Sequence, residues 1–294
     1  MHMNQLPQST AAAGPPAAPR DDTPVAILMA IHAGANAAHF DESLASLRAQ
    51  THSRLRLFLF CDGALPPAHE ELLGRYAQPQ DGDVILRSPV SVGLPTALNT
   101  LIDRALRDTD VEFLARMDAD DLSMPERIAR QVEFMRSTPE VDLVGTWCIE
   151  FEQPGVPHFH KRLPTLRSEV LDFMVCRSPL VHPTVMFRRK IFDAGFRYEP
   201  SLLQAQDYDL WSRLVRAGFT ISNVPEYLLW YRMADGFFQR RSGLDRALKE
   251  VRMRIEYARD MKLLRPIHLA MLFALLLTRI APEPIKRLAY RRSR

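Results

Sequence analysis

Val111-Glu112-Phe113-Leu114-Ala115-Arg116-Met117-Asp118-Ala119-Asp120-Asp121 runs from a largely apolar stretch into three carboxylates. Burial ends there and polar chemistry begins. A strand leaving a sheet delivers its last side chains to the crevice at the carboxyl edge, where open α/β folds bind ligands. Asp118 and Asp120 are two apart, so in extended chain they point the same way. Two oxygen-rich groups on one side suit a hard divalent cation such as Mg²⁺ or Mn²⁺, with water and substrate phosphates in the remaining positions. The same residues also read as an acidic turn before a helix. Ser123-Met124-Pro125-Glu126 has the pattern of an N-cap, a first-turn proline and a capping-box glutamate, opening a helix through about Ser137. That pattern leaves Asp118 and Asp120 upstream of the cap, and an isolated Asp-x-Asp is a weak signal that context must strengthen.

The chain on either side supplies the context. Val25 to Ile31 predicts a strand, the turn-rich segment His32 to Asn36 follows, and then a helix with Leu44 and Leu47 on one face. Leu55 to Phe60 predicts a second strand ending at Cys61-Asp62-Gly63, and Val84 to Leu86 a third. Ala97 to Leu106 predicts a helix, Val111 to Met117 a fourth strand and Pro125 to Arg136 another helix. Strands alternating with helices imply a mostly parallel sheet with crossover connections. Asp62, Arg87 and Asp118 fall at or just past strand ends, so such a sheet gathers them along one edge. Beyond Val141 to Ile149 the alternation breaks. Pro154 to Pro164 reads as a loop carrying His158, His160 and Lys161, followed by a short helix and the segment Ser178 to Phe187 with His182. These histidines lack the i, i+4 pairing of a helical metal site and read as surface or core residues.

A second group of acids begins at Gln206-Asp207-Tyr208-Asp209-Leu210-Trp211, which opens a helix to about Ala217. Asp207 shares a helical face with Leu210, Trp211 and Leu214, whereas Asp209 shares the outward face with Arg213 and Arg216. Asp209 is therefore a surface partner of Arg213. Asp207 has two readings, a cap on free N–H groups or an inward carboxylate able to act as a general base.

The 294 residues suffice for one large α/β domain with a helical appendage, and 47% hydrophobic with 25% charged residues excludes a disordered or fibrous chain. Cys61, Cys148 and Cys176 are an odd, widely spaced set that implies a reducing compartment and no zinc site. Residues 1–23 are small, polar and proline-rich, the composition of a disordered tail, and lack the apolar core of a secretory signal, so the expected location is the cytoplasm. The formal charge of +3 conceals an asymmetry: residues 240–294 hold 15 Lys and Arg against 5 Asp and Glu, the preceding 239 hold 23 against 30. Within that basic end, Ile267 to Leu277 is apolar apart from His268, and is followed by Lys286-Arg287, Arg291-Arg292 and Arg294. The apolar run is too short to span a bilayer. Two readings stay open, a helix lying on an anionic membrane surface through residues 267–294 or a terminal helix docked on the body. Nucleic acid is disfavoured because no aromatics interleave with the basic residues.

Read together, these motifs resemble the inverting nucleotide-sugar glycosyltransferases of family two, which have the GT-A fold. The resemblance covers about Pro24 to Met233. It rests on the strand and loop Val25 to Gly34, the acidic turn after Phe58-Leu59-Phe60-Cys61-Asp62-Gly63, and Val92-Gly93-Leu94-Pro95-Thr96-Ala97-Leu98-Asn99. The segments "RMDADDLSMPERIARQVEFM", "HPTVMFRR" and "QDYDLW" complete it in the family's order. It implies an α/β, Rossmann-like, mostly parallel sheet flanked by helices, as residues 24–239, with a basic helical extension over 240–294. It further implies Asp118 and Asp120 as ligands of Mn²⁺ or Mg²⁺, and nucleotide contacts from Ala30, His32, Asp62, Arg87, Arg116 and Asp118. Asp207 would be the catalytic base, and His182, Gln206 and Trp211 would lie on the acceptor side. The partners implied are a nucleoside-diphosphate sugar, UDP being the commonest, and a glycan or lipid-linked acceptor. The chain departs from the family at Ala30-Ile31-His32-Ala33, where Pro-Val-Tyr-Asn is usual, at Gln206, where Glu is usual, and at Ala234, where His is common. These departures keep a non-catalytic scaffold as an alternative. A sugar nucleotidyltransferase is disfavoured by the lack of a glycine-rich phosphate loop with a basic residue near the first strand.

Overall fold

A computed structural model describes residues 22–233 and 244–281, without the side chains of residues 245, 246, 279 and 280. Most of the expected N-terminal tail, Ala234 and the basic run from Lys286 to Arg294 lie outside the described residues. Four strands, β1 (Val25–His32), β2 (Leu55–Asp62), β3 (Val84–Ser88) and β4 (Phe113–Arg116), form a parallel unit in the order β3-β2-β1-β4. Helices α1 (Ala37–Arg48), α2 (Pro67–Tyr76) and α3 (Leu94–Ala105) make the crossovers. The two-residue period of β1 sorts its side chains between two cores. Val25, Ile27, Met29 and Ile31 meet Phe40, Leu44 and Leu47 of α1. Ala26 and Leu28 join Phe58 of β2 and Leu98, Leu101 and Ile102 of α3 on the other face.

After β4 the sheet becomes mixed. A short β5 (Leu122–Ser123) leads to α4 (Arg127–Ser137), followed by β6 (Leu143–Gln153), β7 (Val156–Lys161) and α5 (Arg167–Cys176). β8 (Met186–Arg188) and a four-residue α6 (Lys190–Asp193) precede α7 (Gln206–Arg216) and β9 (Ile221–Arg232). β8 is antiparallel to both β4 and β6, β6 is parallel to β9, and β5 caps the far edge, giving the order β3-β2-β1-β4-β8-β6-β9-β5 with β7 beside β6.

Two local expectations change. Ser123 is a strand residue whose N–H donates to Ser46 Oγ at 3.0 Å, and no side chain caps α4 from within its own segment. The capping is done from the segment after α1: Gln50 Oε1 accepts from the Ile128 N–H at 3.1 Å while its Nε2 donates to Met124 O at 2.8 Å. A partner about 75 positions away gives no local pattern. The expected loop over Pro154 to Pro164 is instead a hairpin, with β7 antiparallel to β6. Its side chains are largely solvated on both faces, so hydrophobic alternation is missing, and His160 packs edge-on to Tyr227.

Gly145 in β6 sits where a Cβ would lie 2.5 Å from Asn223 Oδ1 and 2.9 Å from a Leu180 methyl. Gly145→Ala is therefore expected to lower stability by about 1–3 kcal/mol, because Asn223 is tied by its Nδ2 to Pro164 O and Pro179 O and Leu180 is buried. Equilibrium urea unfolding checks this, and an unchanged midpoint would show that the contact relaxes freely.

Two helices follow β9 after the undescribed residues 234–243, α8 (Leu244–Asp260) and α9 (Pro266–Ile280). α8 buttresses α7: Tyr257 packs edge-on to Tyr208 and the Arg254 guanidinium lies 4.3 Å from the centre of the Tyr208 ring. α9 in turn packs on α5 and α8. Among the described residues, no helix is long and apolar enough to cross a membrane.

Candidate active site

The carboxyl edge of the parallel unit carries the expected polar residues on one face. β1 and β2 pair His32 with Asp62, and the parity of the strands puts Ala30, His32, Asp62, Arg116 and Asp118 on the α3 side of the sheet. Arg87 is paired with Cys61 in the register, which puts it on the opposite face. There its guanidinium is held by both oxygens of Glu70, at 2.6 and 2.7 Å. Arg87, expected among the nucleotide contacts, is thus separated by strand parity from the other residues of that set.

Asp62 is 9% exposed, and its carboxylate organises the loop entering α3, accepting from Val92 N–H at 2.6 Å, Gly93 N–H at 3.2 Å and Ser91 Oγ at 2.9 Å. Gly93 needs its glycine, with φ of 81°. A carboxylate has about four acceptor positions, so three bonds leave room for one further donor. His32 is exposed at the mouth, its Nδ1 accepting from the Gly34 N–H at 3.1 Å.

The acidic turn gathers Asp118, Asp120 and Asp121 so that one oxygen from each lies within 4.8 Å of the others. Burial and the charge of Asp118 push the Asp120 carboxyl up to about 6. Asp121, 1% exposed, is pushed well above the usual range by burial, then by Asp118 and Asp120. Its Oδ1 accepts from the Arg232 N–H at 2.7 Å, and its buried Oδ2 has no partner. Crowded carboxylates with an orphaned buried oxygen are the donor set a hard divalent cation fits. Asp121 thus serves both the turn, as the sequence suggests, and the carboxylate cluster.

Arginines hold this turn. Arg116 is 2% exposed, donates through Nη2 to Asp118, and leaves Nε and Nη1 buried without partners. Arg127, fully buried, donates to Arg116 O at 2.7 Å and to Gln131 Oε1 at 3.1 Å. Burial pulls its guanidinium down to about 9, which still leaves it protonated at neutral pH. Arg232 donates through Nε to Asp120 O at 2.7 Å, pairs with Glu42 through Nη2, and lies over the Phe151 ring at 4.5 Å. Ser43 Oγ completes the clamp with a 3.0 Å bond to Asp118 O.

Opposite the turn, α7 enters from Ala205, whose φ of 55° is left-handed for a non-glycine residue. Gln206 and Asp207 open the helix and are half-buried. Leu210, Trp211 and Leu214 are fully buried on the face predicted for Asp207, and Asp209 pairs with Arg213 at 2.7 Å. Trp211 packs between Phe187 and His182, with ring centroids at 5.6 and 6.0 Å. At 0% exposure Trp211, expected on the acceptor side, is a core anchor that fixes the rotation of α7. His182 stays near the site, in the turn beside Arg116, and burial and the Arg116 charge hold it well below the usual imidazole range, hence neutral.

Tyr198, which no sequence motif singles out, joins Asn99 of α3 to His182. Its backbone is locked by the Asn99 side chain at 2.8 and 2.9 Å, and its hydroxyl lies 2.9 Å from His182 Nε2. The phenol is raised by burial, with the charges of Asp207 and Asp118 adding to the effect. Tyr198→Phe is expected to leave the fold intact and to lower turnover about tenfold by freeing His182. Steady-state kinetics with a melting curve checks this, and full turnover would assign the pair to packing alone.

The sequence pattern described as "Glycosyl transferase family 2" matches residues 30–196. The chain is 30% identical over 228 residues to the amylovoran biosynthesis glycosyltransferase AmsE of Erwinia amylovora, covering 77% of this chain and 83% of AmsE. It is 26% identical over 245 residues to an Escherichia coli UDP-Gal:alpha-D-GlcNAc-diphosphoundecaprenol beta-1,3-galactosyltransferase, covering 81% and 85%. Its fold matches the mannosyltransferase PcManGT of Pyrobaculum calidifontis, crystallised with GDP-Man and Mn²⁺, at a TM-score of 0.57 and 18% identity over 94% of this chain and 83% of that one. The fold is GT-A, and the chain belongs to glycosyltransferase family 2.

Proposed function

We propose that this protein is an inverting, divalent-cation-dependent glycosyltransferase that moves a sugar from a nucleoside-diphosphate donor, UDP being the first choice, to a hydroxyl of a glycan or lipid-linked acceptor at the cytoplasmic face. The observation that carries this reading is the cluster of Asp118, Asp120 and Asp121, with the buried Asp121 Oδ2 left without a partner and Arg116 bonded to Asp118. Asp118, Asp120 and the unpaired oxygen of Asp121 would hold Mn²⁺ or Mg²⁺. Bound there, the cation supplies positive charge against a departing diphosphate. Arg116, fixed under Asp118, adds a second positive charge that needs no reorganisation during the reaction. Asp62 uses its remaining acceptor position for the nucleoside, with Ala30 and His32 beside it. Gln206 and His182 face the acceptor. Asp207 takes the proton of the acceptor hydroxyl as that oxygen bonds to the anomeric carbon and the bond to the diphosphate breaks, so the configuration inverts in one displacement. The similar E. coli enzyme, whose name specifies a UDP-sugar and a diphosphoundecaprenol-linked acceptor, supports the donor and acceptor classes. Residues 24–239 form the catalytic unit in this reading, with residues 240–294 as an extension.

Water can replace the acceptor, which gives a test without knowing the natural one. Hydrolysis of an α-linked nucleotide sugar, followed by proton NMR before mutarotation, is expected to release the β-sugar first. Initial release of the α-sugar would remove the single-displacement mechanism.

A further inference from the structure

Among the described residues, α5 and α8 cover one side of α9 and leave its other apolar side exposed. Between Pro266 and Thr278 the helix has no acidic or basic side chain other than His268, and only one seam, His268 and Leu272, is buried against α5 and α8. Ile267, Met271, Phe273 and Leu277 turn outward, at 59, 41, 62 and 48% exposure. A helix apolar on every side is ordinarily enclosed, and a contiguous exposed apolar stripe marks a surface that something else covers. At 15 residues α9 is shorter than the roughly 20 a bilayer span requires.

The charge around the stripe selects the occupant. Arg259, Lys262 and Arg265 precede it, Arg279 follows, and five of the last nine residues of the chain are Lys or Arg. Two copies of this face brought together would set like charges beside one another at both ends, which opposes self-association. An anionic bilayer surface accepts both features, apolar side chains at the acyl boundary and cations at the headgroups. We propose that α9 docks this protein on an anionic lipid surface, in the plane of the membrane. α8 lies between α9 and α7, so the docked helix is one packing layer from the element that carries Asp207. This goes beyond the proposed reaction and does not depend on it.

The test is co-sedimentation of the full chain with phosphatidylcholine vesicles, with and without phosphatidylglycerol, alongside a Phe273→Glu/Leu277→Glu variant. Both positions are exposed, so the variant is expected to melt like the parent. The parent should bind the phosphatidylglycerol vesicles, with weak binding to phosphatidylcholine alone, and the variant should lose about tenfold or more in partitioning. A second variant, Lys286→Gln/Arg287→Gln/Arg291→Gln, should lose the preference for phosphatidylglycerol. Equal binding by parent and double-glutamate variant, or no binding by the parent, overturns the proposal. A parent dimer that the double-glutamate variant converts to monomer in sedimentation equilibrium assigns the stripe to a second copy and overturns it equally. Donor hydrolysis measured on the same samples separates the two readings: it should be unchanged in the double-glutamate variant, and its absence from all samples would count against the reaction while leaving the lipid result standing.

Discussion

Asp207→Asn is expected to lower the rate of glycosyl transfer by about 10²- to 10⁴-fold while leaving binding of donor and Mn²⁺ unchanged. The substitution keeps the shape of the side chain and its place in the first turn of α7, a turn held by the burial of Leu210, Trp211 and Leu214. It removes only the capacity to accept a proton. A sugar hydroxyl is a poor nucleophile, so the loss falls on turnover, and the affinity for a donor held across the site at the acidic turn is untouched. Single-turnover kinetics with donor titration separates the two. Normal transfer by the variant would take Asp207 out of the chemistry and return it to a capping role.

Asp118→Asn/Asp120→Asn is expected to cost more than a hundredfold in Mn²⁺ affinity, because two of three clustered oxygen donors lose their charge. The single change Asp120→Asn, which leaves the Asp118–Arg116 pair in place, should make the metal-free protein more stable. Burial, and then the charge of Asp118, raise Asp120 to about 6, so above that pH its ionised form destabilises the folded state. The sign follows from the raised value: the parent gains relative stability as pH falls from about 7 toward 4, where the folded state takes up a proton before the unfolded state does. The advantage of the Asp120→Asn variant should therefore be largest above pH about 6 and shrink below it. Thermal melts in chelator across that range check this. A variant less stable than the parent at pH 8 would mean that the carboxylates support the turn through bonds that outweigh their repulsion.

The half of the fold that was legible in the sequence is the half governed by local periodicity. β1, β2, α1 and α7 follow from apolar spacing, and the Asp209–Arg213 pair follows from helical geometry alone. The illegible half depends on partners chosen over long distances. β5 and β7 are too short or too solvated to carry a pattern, and the cap of α4 comes from Gln50 in the segment after α1. At the site the same division holds. Asp118, Asp120 and Asp207 stand out because acids at a strand end or on an inward helical face are anomalous. The depth of Trp211 and the strand parity of Arg87 are not legible from residue type, because packing and register decide them. Tyr198, Asn99 and Arg232 had no anomaly to reveal them. The one signal for Arg232 was its place at the end of a long strand, and its role appears only when that end meets the acidic turn.

Arg116 and Arg127 raise a further point of physics. Two buried guanidiniums beside three carboxylates cancel much of the field that would otherwise bar the acids from clustering. Arg116 is fixed by its bond to Asp118, while its Nε and Nη1 stay buried without bonds. Preorganised charge of this kind favours the state in which negative charge builds on a leaving diphosphate.

The most direct measurement is calorimetric titration of the full chain with a panel of UDP-, dTDP- and GDP-sugars, each in the presence of Mn²⁺ and again in chelator. The account predicts that at least one donor binds in Mn²⁺, that its affinity falls at least tenfold in chelator, and that Asp118→Asn/Asp120→Asn abolishes the difference. Binding that is indifferent to Mn²⁺, or no binding of any donor, would contradict it.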